Sequence, residues 1–406
     1  MTIKILHGKQ IILGVTGGIA AYKSATVCSR LVQAGAAVDV IMTEAAQKFI
    51  APLTFQALTH RPVYTDMFAI PAGQNIPHIS LADSADLLLI APATANTIGK
   101  LANGLADNLL AAVALATPAP ILLAPAMETD MWQHRATQAN MQKLRDWGVF
   151  SVGPAAGRLA SGAMGQGRMV EPDEIVEAVR LVLGKSGDFA GRRVVVTAGG
   201  TREAIDPVRF VTNHSSGKMG YAVALAARDR GASVTLITSA ALPAPTGLEV
   251  VAVDSAEQML NAVLQAVPGA DALVMSAAVA DFKPAAVAGQ KIKKKGDTEG
   301  LTLELVRTPD ILATLAALPD SRPAVTVGFA AETNDLLANA QSKLERKKLD
   351  LIAANDVTAA DAGFGVDTNR VTLLGRDGSV TELPLLSKAE VAEAILDRVI
   401  ALLNKK

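Results

Sequence analysis

Cysteine is nearly absent from this chain of 406 residues. Cys28 is the only one, so no disulfide can close within the chain and no cysteine-rich metal site can form. Aromatic residues make up 3% of the sequence, which leaves little for the base-stacking platforms of a nucleic-acid binder. Charged residues are only 19% and nearly cancel to a formal net charge of -1, so no overall field would recruit nucleic acid or an anionic membrane. No apolar run reaches the roughly 18 residues of a membrane-spanning helix. The N-terminus lacks the charged segment, apolar stretch and small-residue cleavage site of a secretory signal. The expected compartment is the cytoplasm.

Apolar residues are abundant, at 50%, and Ala, Val, Leu and Ile supply most of them, which suits parallel sheets covered by helices. The length favours more than one domain. In the first half, strands are predicted at 10–16, 37–43, 86–91, 120–124 and 149–152. A helix follows Gly17-Gly18 to about Ala34, and 171–183 reads as a closing helix. Gly184-Lys185-Ser186-Gly187-Asp188 has the composition of a linker. The pattern restarts with strands predicted at 192–197, 233–238, 272–276, 324–329 and 349–353. Two further runs, 371–374 and 380–383, flank Gly375-Arg376-Asp377-Gly378 as a hairpin, and a helix over 388–403 ends the chain. The expectation is α/β throughout: two tandem open parallel-sheet domains, 1–187 and 188–406.

Neither half has the G-x-G-x-x-G spacing of a dinucleotide fold. The segment from Thr212 to Met219 faintly suggests a P-loop, but its opening glycine is missing and Met219 stands where a magnesium-binding Ser or Thr would be. Gly17-Gly18, between a strand and a helix, fits either a phosphate-holding helix start or a plain tight turn. Ala91-Pro92-Ala93-Thr94-Ala95-Asn96-Thr97 reads as a loop that follows a buried strand at its carboxyl end, where ligands of open α/β sheets bind. His78 lies ahead of a strand with no acidic or metal-ligand partner at useful spacing; a lone histidine of this kind is usually structural.

Taken together and in order, Gly14 to Lys23, Pro77-His78-Ile79-Ser80-Leu81, Ala91 to Asn96, Pro125 to Trp132 and Gly162 to Met169 closely resemble the flavin-containing cysteine decarboxylases that act on phosphopantothenoylcysteine. The resemblance implies a flavodoxin-like fold, bound FMN and trimers. It makes His78 the active-site histidine, and Gly17, Gly18, Thr43, Ala93, Thr94, Ala95 and Asn96 the FMN-holding positions. It places Glu128 and Met131 against the substrate. Two departures stand out. Glu128 replaces the asparagine of the family's P-x-M-N-x-x-M-W motif, and an ionised Glu cannot donate to a substrate carboxylate as an amide can. Ser161 replaces a proton-donating cysteine, and a hydroxyl is a poorer acid than a thiol. Ser161, a relayed water or a residue of a neighbouring subunit could deliver the proton. Cys28, on the first helix, reads as a packed core residue.

In the second half, Gly199 to Glu203, Asn213 to Gly220, Ala277 to Phe282 and the lysine-rich Lys291 to Lys295 carry the chemistry-bearing side chains. Each has a bland reading, as a turn or a solvated face. A ligase that activates a carboxylate with a nucleotide needs these same types: lysines for triphosphate charge, an acid for magnesium, an amide to position an acyl intermediate. With Asp206-Pro207-Val208-Arg209, Gly328 to Thr333 and Leu349 to Asp356, the clusters resemble phosphopantothenate–cysteine ligases over nearly all of 190–400. The resemblance implies CTP as cosubstrate with Mg2+, and ligase dimers. Asn213 would handle an acyl-cytidylate and Lys291 assist attack by cysteine. Asp281, Lys291, Pro309, Asp310, Ile311, Phe329, Lys343 and Lys347 would line the CTP site, with Asp281 on the metal.

The combined expectation is a bifunctional enzyme that ligates cysteine to 4′-phosphopantothenate and then decarboxylates the product. It would take small-molecule substrates, not nucleic acid or membrane, and assemble from decarboxylase trimers and ligase dimers. The alternatives are an active ligase fused to a weak or inactive flavoprotein domain, motivated by Glu128 and Ser161, and a flavin-binding regulatory protein without catalysis. An NAD-dependent reductase is the most distant.

Overall fold

Runs of Val, Ile and Leu become the first sheet: β1 (Gln10–Val15), β2 (Ala37–Met42), β3 (Val63–Tyr64), β4 (Leu87–Ala93), β5 (Ile121–Pro125) and β6 (Phe150–Ser151). The computed structural model describes residues 4–68, 77–293, 301–318, 322–332, 336–356 and 365–405. The strands lie in the order 3-2-1-4-5-6, and every pairing is parallel. With the two-residue edge strand β3 set aside, this is the flavodoxin-like order, whose switch point falls between β1 and β4. Both faces are covered. Ile11, Leu13 and Val15 point to the layer of helices Ala21–Gln33 and Pro172–Gly184. Ile12 packs with Ile98, Leu110 and Met141 from helices on the other face. That two-sided burial is why the strands read as unbroken apolar runs rather than alternating ones. Outside the sheet, β7 (Ala155–Arg158) and β8 (Met164–Arg168) form an antiparallel hairpin.

The second sheet repeats the plan. It takes in β9 (Arg193–Ala198), then, after the small hairpin of β10 (Arg202–Ala204) and β11 (Phe210–Thr212), β12 (Ser233–Thr238), β13 (Glu249–Ala252) and β14 (Ala272–Met275). A second small pair, β15 (Phe282–Pro284) and β16 (Leu305–Arg307), precedes β17 (Val325–Glu332) and β18 (Leu351–Asp356). The order 13-12-9-14-17-18 is parallel and has the Rossmann arrangement. Two short strands, β19 (Thr368–Asn369) and later β22 (Leu386–Ser387), pair with each other. Between them β20 (Val371–Gly375) and β21 (Val380–Glu382) add the expected antiparallel hairpin at the edge of the sheet. Helices Lys218–Asp229 and Lys388–Leu403 share one face. Helices Ala256–Ala266, Ile311–Ala316 and Leu336–Arg346 lie on the other.

The chain divides into two compact units, residues 1–184 and 185–406. The stretch from Lys185 to Asp188, expected as a linker, is packed onto the second unit. A Cβ at Gly187 would meet the Arg230 carbonyl oxygen at 2.3 Å, and Phe189, fully buried, donates its N–H to the same oxygen at 2.9 Å. Arg230 stacks over the Phe189 ring, 5.0 Å from its centroid, and grips Asp188, Glu393 and Asp397. Composition alone reads such a segment as loose; Phe189 supplies the anchor. Cys28 is fully buried as expected, and burial pushes its thiol up to about 12.

Candidate active sites at the carboxyl ends of two sheets

In the first unit, the segments expected to hold the flavin converge where β1, β2 and β4 end. The helix after β1 starts at Ala21 rather than at the glycine pair, so Gly17 and Gly18 form the loop ahead of its first turn. The two glycines differ in what surrounds them. A Cβ at Gly17 would sit 2.4 Å from that of Ala45, whereas Gly18 faces open space, with only Thr94 Cγ2 at 3.8 Å. Thr43 continues β2, donating its N–H to Val15 O at 3.1 Å while its hydroxyl accepts from Ala46 N at 3.2 Å. Ala93 is the buried last residue of β4. Thr94 caps the helix Ala95–Ala102, to which Ala95 and Asn96 contribute the first turn. Thr16 Oγ1 donates to Pro92 O at 2.6 Å and ties the two loops together across the switch point. The seven expected positions thus offer backbone, the Thr43 and Thr94 hydroxyls and the Asn96 amide, and none of them carries a charged side chain.

His78 lies in the first turn of the helix Pro77–Ser84, which leads down to the start of β4. Its Nδ1 is buried and has no hydrogen-bond partner. An orphaned buried imidazole nitrogen costs free energy unless a ligand completes it. The hairpin that carries Ser161 is fastened to the loop that carries Glu128. Met127 N donates to Gly167 O at 2.9 Å. A Cβ at Gly167 would lie 2.2 Å from Met127 O, and one at Gly165 would lie 2.1 Å from Thr129 Oγ1. Only a glycine at 167 allows the two backbones to approach this closely, and one at 165 makes room for the Thr129 side chain. Ser161 itself is exposed near the hairpin tip, its hydroxyl accepting from Ala163 N at 3.3 Å. Glu128 is half-buried ahead of the short helix Thr129–Gln133 and does not cap it, and Met131 is 50% exposed. Lys23, part of the first glycine motif, is buried and braces the far end of the hairpin by donating to Met169 O at 3.0 Å and Glu171 at 3.1 Å.

In the second unit, a cleft of about 910 Å³ is lined from β14, β17 and β18 and from the loop that enters the helix Lys218–Asp229. Asn213, Asp281, Pro309, Asp310, Ile311, Phe329, Lys343 and Lys347, dispersed over 135 positions of sequence, all line it. Asn213 is held by its Nδ2 donating to Val279 O at 3.1 Å. The loop it sits in enters the helix Lys218–Asp229 through Gly217, whose φ of 77° only glycine adopts readily. At Gly220 a Cβ would meet Ala198 Cβ at 2.6 Å, so this glycine lets the helix press against β9. Lys343 donates to Phe329 O at 2.7 Å, and Lys347 is paired with Asp310. Burial pulls the Lys347 ammonium below its ordinary range, opposed by the nearby Asp281 carboxylate. Asp281 is exposed within the cleft.

Lys291 is the one expected nucleotide-site residue outside this lining. Its neighbour Ile292 is held at both backbone groups: its N–H donates to Asp206 Oδ2 at 3.1 Å, and its carbonyl accepts from Arg209 Nη2 at 2.8 Å. The Asp206 carboxyl is held far below the usual carboxylate range by Arg209 and by the N–H groups of Val208, Ile292 and Arg209. The D-P-V-R segment singled out in the sequence therefore anchors the lysine segment. Lys294 and Lys295 lie outside the described residues. Sequence reasoning missed Lys218, Arg307, Arg346 and Lys388, which also line the cleft. The signal for Lys218 was present, since it lies inside the quoted small-residue cluster.

Residues 4–184 match the family model "Flavoprotein", and residues 189–403 match "DNA/pantothenate metabolism flavoprotein C-terminal domain". A coenzyme A biosynthesis bifunctional protein CoaBC of Bacillus subtilis is 49% identical over 98% of both chains. The protein of that name from Vibrio cholerae is 48% identical over 96% of this chain and 98% of its own. Among solved structures, the C-terminal domain of a coenzyme A biosynthesis bifunctional protein CoaBC is 42% identical, covering 54% of this chain and all of that one with a TM-score of 0.47.

Proposed function

This chain belongs to the family of coenzyme A biosynthesis bifunctional proteins, and from that premise we propose how its two units divide the work. The second unit, residues 185–406, joins cysteine to 4′-phosphopantothenate; the first, residues 1–184, decarboxylates the resulting phosphopantothenoylcysteine to 4′-phosphopantetheine. The observation that carries the reading is the convergence of eight expected ligase residues on one cleft.

In the ligase unit, we infer CTP as the cosubstrate. The pantothenate carboxylate attacks the α-phosphorus, and pyrophosphate leaves with the electron pair of the broken phosphoanhydride bond. The amine of cysteine then displaces CMP from the acyl carbon. Asn213, fixed by Val279 O, orients the acyl group. Lys291, on the segment anchored by Asp206 and Arg209, assists the attack by cysteine. Asp281 suits Mg2+, which is commonly held by one carboxylate together with substrate phosphates.

In the decarboxylase unit, the uncharged expected positions fit FMN: open backbone at Gly18 and the capped helix start at Thr94 to Asn96. When bound, FMN supplies reversible two-electron chemistry, so that carboxylate loss leaves its electrons delocalised. His78 meets the substrate through its unpartnered nitrogen. Glu128 and Met131 border the substrate, and Ser161 on the fastened hairpin delivers the final proton. Exposed apolar side chains such as Tyr22, Phe210 and Phe282 are compatible with decarboxylase trimers and ligase dimers. Among the described residues no helix is long and apolar enough to cross a membrane, and we place the enzyme in the cytoplasm.

The test is one incubation of the flavin-loaded protein with 4′-phosphopantothenate, cysteine, magnesium and either CTP or ATP, with products read by mass spectrometry. Phosphopantetheine should form with CTP and much less with ATP. Equal turnover with ATP would remove the CTP assignment, and failure to form any amide would remove the ligase reading.

A further inference from the structure

Lys291 is exposed, yet the chain on both sides of it is fastened. Ahead of it, Ala288 donates its N–H to Ile205 O at 3.0 Å; directly after it, Ile292 donates to Asp206 Oδ2 at 3.1 Å. Ile205 and Asp206 are adjacent, so the stretch from Ala288 to Ile292 is pinned at both ends to one place in the fold. That place is the turn of the β10–β11 hairpin, and β11 runs directly into Asn213. One hairpin thus carries the amide that orients the acyl group and holds the segment of the lysine that meets cysteine.

Asp206 is the centre of the arrangement, and it is buried. Its Oδ1 accepts from the N–H groups of Val208 at 2.8 Å and Arg209 at 2.9 Å, which closes the turn. Its Oδ2 accepts from Arg209 Nε at 3.0 Å, from Arg209 Nη2 and from Ile292 N. Arg209 Nη2 in turn donates to Ile292 O at 2.8 Å. Both backbone groups of Ile292 are therefore taken by a single ion pair. A buried carboxylate is costly unless it is paired and hydrogen-bonded, and this one is satisfied only with Ile292 in place. The turn uses Oδ1 alone; Oδ2 faces the guanidinium and the lysine segment. A lysine that served only as a solvated surface charge would need no such support.

Fixing the segment matters most in the second half of the ligation. An acyl-cytidylate is a mixed anhydride that water can attack as well as an amine. When cysteine reacts, its nitrogen bonds to the acyl carbon, and the bond from that carbon to the CMP oxygen breaks with its electron pair on CMP. The nitrogen releases its proton to solvent. When water reacts instead, 4′-phosphopantothenate returns and the nucleotide has been cleaved for nothing. The amine attacks only unprotonated, and a fixed ammonium beside it disfavours the protonated form. Misplacement by about 1 Å can remove about a hundredfold of such an effect.

We propose that Asp206 is a positioning residue of the ligase, holding Lys291 where it favours cysteine over water as the acceptor of the acyl group. This rests on the ligase reading and on the role given there to Lys291, and adds the group that keeps Lys291 in place. Asp206 does not line the cleft and acts through Ile292.

The experiment counts pyrophosphate against total amide product, phosphopantothenoylcysteine and phosphopantetheine together, in the full-length protein with 4′-phosphopantothenate, CTP, magnesium and subsaturating cysteine. The unsubstituted protein should release them one to one. Lys291→Gln should release pyrophosphate in excess. Asp206→Asn keeps the size of the side chain but sets an NH2 group against Ile292 N and Arg209. It should lower amide formation about tenfold and pyrophosphate release by less than about twofold. The double variant should lose no more than Lys291→Gln alone. Ile292→Pro deletes the N–H that reaches Asp206 and leaves the Asp206–Arg209 pair intact, so it should show the same excess even where Asp206→Asn fails to fold. Unchanged yields in these variants, equal falls in pyrophosphate and amide, or losses that multiply in the double variant would reduce Asp206 to a support of the fold and overturn the proposal. Amide formed by Lys291→Gln at the original rate and one to one with pyrophosphate would instead overturn the role given to Lys291.

Discussion

The two units share a strand order and use it for opposite chemistries. In each, the candidate site residues follow the carboxyl ends of parallel strands, and the strand order reverses between β1 and β4 in one sheet and between β9 and β14 in the other. The first is walled by Gly18, Thr16, Thr94 and backbone, the second by six cations and two acids. A neutral wall suits a flat conjugated ring, because fixed charge would have to be desolvated against it. A cationic wall suits a polyanion that enters with its charge and leaves split in two. Topology fixes where a ligand binds, and the side chains after each strand decide what kind.

The largest expected effect separates the units by their chemistry. His78→Asn should lower phosphopantetheine formation about a hundredfold or more while leaving amide formation at its original rate, read by accumulation of phosphopantothenoylcysteine. A comparable loss in both steps would break the comparison. The next concerns the hairpin. Gly167→Ala forces a Cβ against Met127 O, 2.2 Å away, and should loosen the Ser161 hairpin from the Glu128 loop. We expect roughly a tenfold loss of decarboxylation at a stability cost of about 1–3 kcal/mol, with ligation unaffected.

Salt sharpens the contrast between walls. Raising the ionic strength should weaken CTP binding several-fold and barely alter flavin retention, measured by calorimetry and flavin fluorescence. Acid should act on the second unit through Asp206. Its folded carboxyl is depressed, so its contribution to stability is fully present above the unfolded Asp range near about 3.9. That contribution is lost as pH falls towards the folded value. Asp206→Asn should therefore remove that part of the acid sensitivity and speed amide exchange at Ile292, whose N–H it holds. The smallest expected effect is a gain: Ser161→Cys should raise decarboxylation a few-fold, since a thiol gives up its proton more readily than a hydroxyl.

Much of this was readable in the chain because parallel strands buried on both faces leave unbroken apolar runs. β1, β2, β9, β12 and β14 were found to within one residue at each end. The β7–β8 hairpin was not, since Ala155–Arg158 and Met164–Arg168 have neither alternation nor β-branched residues. Their glycines are set by the approach to Met127 and Thr129, a tertiary constraint with no local signature. The helix holding His78 was missed for a similar reason: PHISLADS has little amphipathic pattern. In the ligase cleft, local motifs named much of the lining, while Lys388 lay unmarked at the start of the final helix. Only the pairing of β19 with β22 and the packing of two helices set it beside Lys218.

The division of labour is tested most directly by following both products of the His78→Asn protein in one incubation with 4′-phosphopantothenate, cysteine, CTP and magnesium. The expected result is phosphopantothenoylcysteine formed at the unsubstituted rate and no phosphopantetheine. Phosphopantetheine formed at the original rate would contradict the assignment of His78. An equal fall in the amide product would contradict the separation of the two chemistries into two units.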